Sequence, residues 1–273
     1  MTKHRADLRQ RLKQKEPILS PGIYDGLSAR IAEACGFEVL YLSGYGVSAS
    51  LLAKPDNGFL TAEDMRARIA SICEAVSTPV IADADTGFGD VAATVRLYEA
   101  AGAAGIQIED QQVPKICGHI PGREVIDRAE AVEQIATAVA ARRDADFLIV
   151  ARTDAREQNG LDEAITRGRL FAEAGADIVF IESPESADEF AAIGAALGDV
   201  PLLANMVEGG RSPLLSPAQL ADMGFRLVIY PVAAMANVAD MLQKSYAALA
   251  KGDISGARVD FKTLSRLVGF ADK

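Results

Sequence analysis

The chain has 273 residues, 49% of them hydrophobic, and a formal net charge of -10. That length suits a single α/β barrel with a large core. The acidic balance argues against nucleic acid or an anionic membrane as a partner, because both need a basic footprint, but it leaves room for an anionic small substrate met by a metal ion and local arginines. Cys35, Cys73 and Cys117 are too few and too scattered for a disulfide framework or a Cys-X-X-Cys metal site. The first 17 residues are charged throughout with no apolar signal-peptide core, and no apolar stretch reaches the length of a membrane span. The expectation is a soluble, cytoplasmic protein.

From Ile18 to about Ala250, short runs rich in Ile, Val and Leu alternate with longer amphipathic segments heavy in Ala and Glu. In chain order the pattern predicts strand Ile18–Ile23, helix Gly26–Cys35, strand Val39–Ser43, helix Ala62–Val76, strand Val80–Asp83 and helix Val91–Ala101. It continues with strand Ile106–Glu109, helix Ala129–Arg142, strand Phe147–Arg152, helix Asp162–Ala174, strand Ile178–Glu182, helix Ala187–Leu197, strand Leu202–Asn205, helix Pro217–Met223 and strand Leu227–Tyr230. Near-continuous apolar strands are expected where both faces of a parallel sheet are covered. Gly36, Gly102, Gly175 and Gly224 each follow a helical pattern where a left-handed residue ends a helix. Eight strand–helix units with no composition break predict one (β/α)8 TIM barrel domain over residues 1–273. The alternative, a doubly wound sheet, lacks a G-x-G-x-x-G after its first strand. Residues 251–273 form an extension with a further helix, Ala257–Gly269, of the kind that packs on a neighbouring subunit.

Chemistry in a barrel collects where the strands end, and six successive strands end on polar groups: Ser43, Asp83 with Asp85, Glu109 with Asp110, Arg152 with Asp154, Glu182, and Asn205. Asp83 and Asp85 should lie on one side of an extended segment, with Glu109 and Asp110 adding two acids on the adjoining strand. Clustered acids repel unless a cation sits among them, and oxygen donors without a His or Cys cluster suit Mg²⁺ or Mn²⁺. The plainer reading of the two aspartates is helix capping. Arg152 could clamp a substrate carboxylate or serve in an internal ion pair with Glu182 or Glu109. Between the fourth strand and its helix, residues 111–127 form a long loop holding Lys115-Ile-Cys-Gly-His119, where Lys115 and His119 flank a cysteine whose proton affinity they could tune. Cys35 and Cys73 fall on helix patterns as core residues, and His4 carries no role.

Taken together, Tyr41-Leu-Ser-Gly44, Asp83-Ala-Asp-Thr-Gly-Phe-Gly89, Ile108-Glu-Asp-Gln111, Lys115-Ile-Cys-Gly-His119, Ala151-Arg-Thr-Asp-Ala155 and Asn205-Met-Val-Glu-Gly-Gly-Arg211 resemble the isocitrate lyase/phosphoenolpyruvate mutase superfamily from about Arg11 to about Ala250. The Lys-x-Cys-Gly-His loop is similar to that of its carbon–carbon lyases, the 2-methylisocitrate and 2-alkylmalate (2,3-dimethylmalate, petal death protein-like) lyases. The segment Ser43 to Asp56, with Tyr45, looks more like the alkylmalate group, whereas Ile116 stands where both groups usually carry a basic residue. The resemblance implies a Mg²⁺-dependent lyase that cleaves a 2-hydroxy di- or tricarboxylate to pyruvate, or another 2-oxo acid, plus a carboxylic acid. It implies Asp83, Asp85 and Glu109 as metal residues. Ser43, Gly44, Tyr45, Asp56, Gly118, Arg152, Glu182 and Asn205 are its substrate-binding residues, and Cys117, Tyr41, Lys115, His119 and Arg152 its catalytic ones. Within these, Cys117 is the general acid, Lys115 and His119 support enolate charge, and Tyr41 is the partner of the hydroxyl proton. A homotetramer with exchanged C-terminal helices is a further implication. The alternatives are oxaloacetate decarboxylase or carboxyphosphonoenolpyruvate mutase chemistry on the same scaffold, and an oxoacid-binding barrel without catalysis.

Overall fold

A computed structural model describes residues 2–255 and 259–270, without the side chains of residues 2 and 3. Among the described residues the chain folds as a closed barrel of eight parallel strands in sequential order, each pairing with the next and β8 returning to β1. In order these are α1 (Thr2–Arg11), β1 (Ile18–Ile23), α2 (Gly26–Ala34), β2 (Leu40–Leu42), α3 (Gly44–Val47) with a wide π turn at Ser48–Leu52, α4 (Ala62–Ala75), β3 (Val80–Asp83), α5 (Val91–Ala101) and β4 (Gly105–Glu109). The second half runs α6 (Arg128–Ala141), β5 (Leu148–Thr153), α7 (Arg156–Asn159), α8 (Leu161–Glu173), β6 (Ile178–Ile181), α9 (Ala187–Leu197), β7 (Leu202–Asn205), α10 (Pro217–Asp222), β8 (Phe225–Tyr230), α11 (Ala233–Leu249) and α12 (Phe261–Leu267). The predicted strands stand within two residues of their expected limits. The C-terminal helix is shorter than Ala257–Gly269, and residues 257–258 of that expectation lie outside the described residues.

Local chemistry explains the boundaries. Asp25, Thr61, Asp90, Asp127, Ser186 and Ser216 each accept a backbone N–H at the start of a helix. The caps of α4 and α10 are reciprocal, with Asp64 and Gln219 answering Thr61 and Ser216. Gly36, Gly102, Gly175 and Gly224 all hold the left-handed conformation expected of them. Side chains between the strands and the helix ring, such as Ile69, Tyr98, Phe171 and Phe190, form one core; a second fills the barrel, with Ile81, Val150, Ile178, Phe180, Leu203 and Ile229. Each such side chain contributes about 1.5–3 kcal/mol by leaving water.

The amino-terminal segment, for which the sequence suggested no element, closes the bottom of the barrel. Leu8 and Leu12 of α1 and its following turn join the interior core. Arg5 is buried, donating to the Ala103 and Glu99 carbonyls and pairing with Asp144 at 2.9 Å. Because Arg5→Met leaves these acceptors buried without their cation, it should lower unfolding free energy by about 3 kcal/mol in urea titrations. A loss below about 1 kcal/mol would show that the plug contributes little.

Candidate active site

At the carboxyl ends of the strands lies a cavity of about 400 Å³ walled by Tyr41, Ser43, Tyr45, Asp56, Asp83, Cys117, Gly118, His119, Arg152, Glu182 and Asn205. A larger groove of about 710 Å³, between Arg11, Glu38 and Asp222, lies at the opposite end of the barrel and contains none of these groups. Eleven residues assigned from sequence therefore meet in one place. The remaining four, Gly44, Asp85, Glu109 and Lys115, stand just behind the wall.

Register places the acids. Asp83 at the end of β3 pairs with Gln107 of β4, and Glu109 of β4 pairs with Arg152 of β5. The Asp83 carboxylate accepts the Gly44 N–H at 3.3 Å, the Asp85 N–H at 3.2 Å and the Gln107 side-chain amide at 3.4 Å, while Tyr98 donates to its carbonyl at 3.2 Å. A side chain at 44 would come within 2.7 Å of that carboxylate, so the approach needs glycine. Gln107 escaped notice, although it sits two residues before Glu109 and so on the same inward face of β4.

Two expectations need correction. Asp83 to Asp85 is not an extended segment: the chain turns left-handed at Asp85 (φ 47°), and the Asp85 carboxylate is aimed at Lys115 Nζ, 2.7 Å away. Asp110 does not join the cluster. Strand alternation sends it outward, where it pairs with Arg167 of α8 at 3.0 Å and accepts the Asp154 N–H. Neither Asp83 nor Asp85 caps a helix; Asp90 caps α5.

Lys115 also differs from its expected place beside the thiol. Its ammonium is buried between Asp56 at 2.6 Å and Asp85 at 2.7 Å. Arg152 is similarly engaged, reaching Glu109 at 3.1 Å, Asp154 through two bonds of 2.9 Å, and Glu182 at 3.6 Å. Of the two roles open to this arginine, the internal ion pairs are present, and the side chain still lines the cavity. Six carboxylates (Asp56, Asp83, Asp85, Glu109, Asp154, Glu182) thus surround three permanent cations (Lys115, Arg123, Arg152), all of them buried. Burial, only partly offset by Lys115 and Arg152, pushes the Asp83, Asp85 and Glu109 carboxyls up, as expected of acids short of positive charge. Glu182 moves the other way: burial would raise it, but Arg152, His119, Arg123 and the Asn205 amide hold it down.

Hard oxygen donors in excess fit a divalent cation, and Glu109 Oε1 is a buried acceptor with no hydrogen-bond partner among the described residues. Among those residues no three His, Cys, Asp or Glu side chains stand close enough to cage an ion directly. Lys115 draws Asp85 aside and Arg152 holds Glu109 Oε2.

The cysteine loop folds over this cluster. Gln111 pins it by exchanging two 3.0 Å bonds with the Ile116 backbone. A side chain at 118 would stand 2.8 Å from Glu182 Oε2 and closer still to Arg152, so glycine allows the loop down onto these groups. His119 Nδ1 accepts the Arg211 N–H at 3.2 Å, which puts the proton of the neutral ring on Nε2, 3.8 Å from Glu182; the nearby Asn205 side-chain nitrogen donates to Glu182 Oε2 at 3.1 Å and not to the ring. Burial lowers the His119 pKa, so the ring is neutral at pH 7. Burial raises the Cys117 thiol, with Asp56 and Glu182 adding to it, which suits a proton donor and not a nucleophile. Burial, followed by Asp83, likewise raises Tyr41, keeping it a phenol.

Residues 8–250 match the family model described as phosphoenolpyruvate phosphomutase. The chain belongs to the isocitrate lyase/phosphoenolpyruvate mutase superfamily. It is 46% identical to the 2,3-dimethylmalate lyase of Eubacterium barkeri over 93% of this chain and 89% of that protein. It is also 46% identical to the 2-methylisocitrate lyase of Aeropyrum pernix, over 82% and 73%. Among solved structures, oxaloacetate acetylhydrolase with 3,3-difluorooxalacetate superposes with a TM-score of 0.94 at 38% identity, covering 98% of this chain and 94% of that one. Phosphonopyruvate hydrolase with oxalate and Mg²⁺ gives 0.87 at 32%, covering 97% and 95%. The protein is an enzyme of the lyase type in this superfamily.

The raised thiol has a direct consequence. Peptide-resolved alkylation of Cys117 should be slow at neutral pH and climb only above pH 9, the ordinary thiol value. Rapid labelling at pH 7 would identify a thiolate and contradict a proton-donor thiol.

Proposed function

We propose that this lyase, with Mg²⁺ (or Mn²⁺) bound, cleaves a 2-alkylmalate or 2-methylisocitrate-type 2-hydroxy acid to pyruvate, or another 2-oxo acid, plus a carboxylic acid. The observation that carries the reading is the placement of the half-buried Cys117 thiol in the same cavity as Asp83, Arg152 and Glu182. Asp83 is the group to hold the cation directly, with Asp85 and Glu109 acting through water, since Lys115 and Arg152 already engage those two acids. When bound, the cation would lower the pKa of the 2-hydroxyl and chelate it together with its carboxylate.

The remaining steps belong to the chain. Ser43, Gly44 and Tyr45 border the oxoacid half beside Asp83, and Arg152, Glu182 and Asn205 orient the rest of the substrate. The hydroxyl proton passes to water, with the Tyr41 phenol hydrogen-bonded to the oxygen it leaves, and the C2–C3 bond breaks to give the 2-oxo acid. The electron pair stays on C3 as the enolate of a carboxylate. Cys117 gives its proton to C3 from above, and water later restores the thiol. His119, holding a proton on Nε2, and Lys115, through the electrostatics of the Asp56–Lys115–Asp85 row, favour the enolate charge.

Oxaloacetate decarboxylation and carboxyphosphonoenolpyruvate mutase chemistry use the acids without the thiol, so Cys117→Ser separates the readings. That variant should lose cleavage activity by about 10²-fold or more while binding pyruvate with Mg²⁺ as the parent does, both read by a coupled 2-oxo acid assay and calorimetry. Full activity would overturn the assignment. Across 2-alkylmalates, 2-methylisocitrate and oxaloacetate, 2-oxo acid release should be fastest with a 2-hydroxy acid. Asp83→Asn should weaken Mg²⁺ binding about tenfold or more in calorimetry.

The same reading includes a cytoplasmic homotetramer. It draws support from α11 and α12, whose Met241, Leu242, Tyr246, Leu249, Phe261 and Leu264 are exposed on this protomer. Among the described residues no helix is long and apolar enough to cross a membrane.

A further inference from the structure

Beyond the groups that face the cavity, one carboxylate collects partners from two loops that cover it. Glu157, on the single turn of α7, accepts the Gly122 N–H at 2.9 Å and pairs with Arg123 Nε at 2.9 Å and Arg211 Nη1 at 3.0 Å. Gly122 and Arg123 close the cysteine loop, and Arg211 belongs to the loop after β7. Both loops bear on the site itself. The Arg211 backbone N–H fixes His119 Nδ1, and Gly118, next to Cys117, has its carbonyl bound by Ser183 Oγ at 2.9 Å. Arg123 is 1% exposed, the largest fully buried side chain, and reaches Ser183 Oγ and Asp154, the carboxylate that grips Arg152.

We propose that Glu157 is a positioning residue: by joining Gly122, Arg123 and Arg211 it latches the cysteine loop over the cavity and aligns Cys117 and His119 with the substrate. The role in turnover rests on the lyase reading above; the latch itself does not. The physics is charge matching. With Glu157 neutral, Arg123 keeps Asp154 as its nearest carboxylate, at 3.4 Å and already shared with Arg152. Retaining a buried guanidinium on those terms is costly, and the side chain escapes to water only by lifting residues 117–123 with it. Burial would raise the Glu157 carboxyl, but the Gly122 amide, Arg123 and Arg211 outweigh it and hold it below the usual range, so the latch is charged at neutral pH.

Glu157→Gln preserves shape and removes the charge. At pH 8 the alkylation of Cys117 and the hydrogen exchange of residues 116–123 should both accelerate about tenfold or more, and kcat should fall by a similar factor. Binding of pyruvate with Mg²⁺, which meets the strand ends below the loop, should stay within about twofold. Arg211→Gln, which removes one of the three partners, should move every readout the same way by less, and it carries the test if Glu157→Gln does not fold. Parental labelling and exchange in either variant would overturn the latch. Faster labelling with unchanged kcat, where the parent shows lyase activity, would overturn the positioning role in turnover. A parent with no lyase activity on any acid would sink the lyase reading alone, because labelling and exchange need no turnover.

Discussion

Lys115, Arg123 and Arg152 are buried among six carboxylates at one end of the barrel, and the geometry of that end follows from how those charges are matched. A buried charge is tolerated only when paired and hydrogen-bonded. Each cation therefore spans two or three acids: Lys115 bridges Asp56 and Asp85, Arg152 bridges Glu109, Asp154 and Glu182, and Arg123 bridges Asp154 and Glu157. The remaining excess of negative charge is what a divalent ion would neutralise, and an anionic substrate could not approach the cavity otherwise.

Two of these cations, Lys115 and Arg123, come from the cysteine loop, so closing the loop and neutralising the acids are one event. The loop carries the thiol down with it, and burial keeps that thiol protonated. The same burial keeps His119 neutral and Tyr41 a phenol. Three groups suited to donating a proton or a hydrogen bond are thus prepared by one physical cause, removal from water. Part of the site stands on β3 to β7, and the thiol and His119 stand on the loop that follows β4.

The barrel was legible because its strands are covered on both faces and so read as unbroken apolar runs, with caps and left-handed glycines at the corners. The site was legible because barrel chemistry gathers at strand ends, and those ends spell polar residues from Ser43 to Asn205. Asp110 was misread for want of attention to alternation, a signal the sequence does contain. The left-handed turn at Asp85 was not inferable from pattern, because a non-glycine residue gives little warning of positive φ. Lys115 was misplaced because adjacency along a loop says nothing about which way a long side chain reaches.

By itself the sequence determined the architecture, the eight strand positions, the superfamily, and which residues converge at the mouth of the barrel; periodicity and strand-end polarity are local properties, written residue by residue. Only the tertiary structure decided the pairings: α1 as the plug with Arg5 buried beneath it, Gln107 and Tyr98 holding Asp83, Lys115 between Asp56 and Asp85, and Glu157 joining two loops. Those partners lie 15 to 139 positions apart along the chain. Which acid meets which cation is set by the closed barrel and by the cost of leaving any buried charge alone.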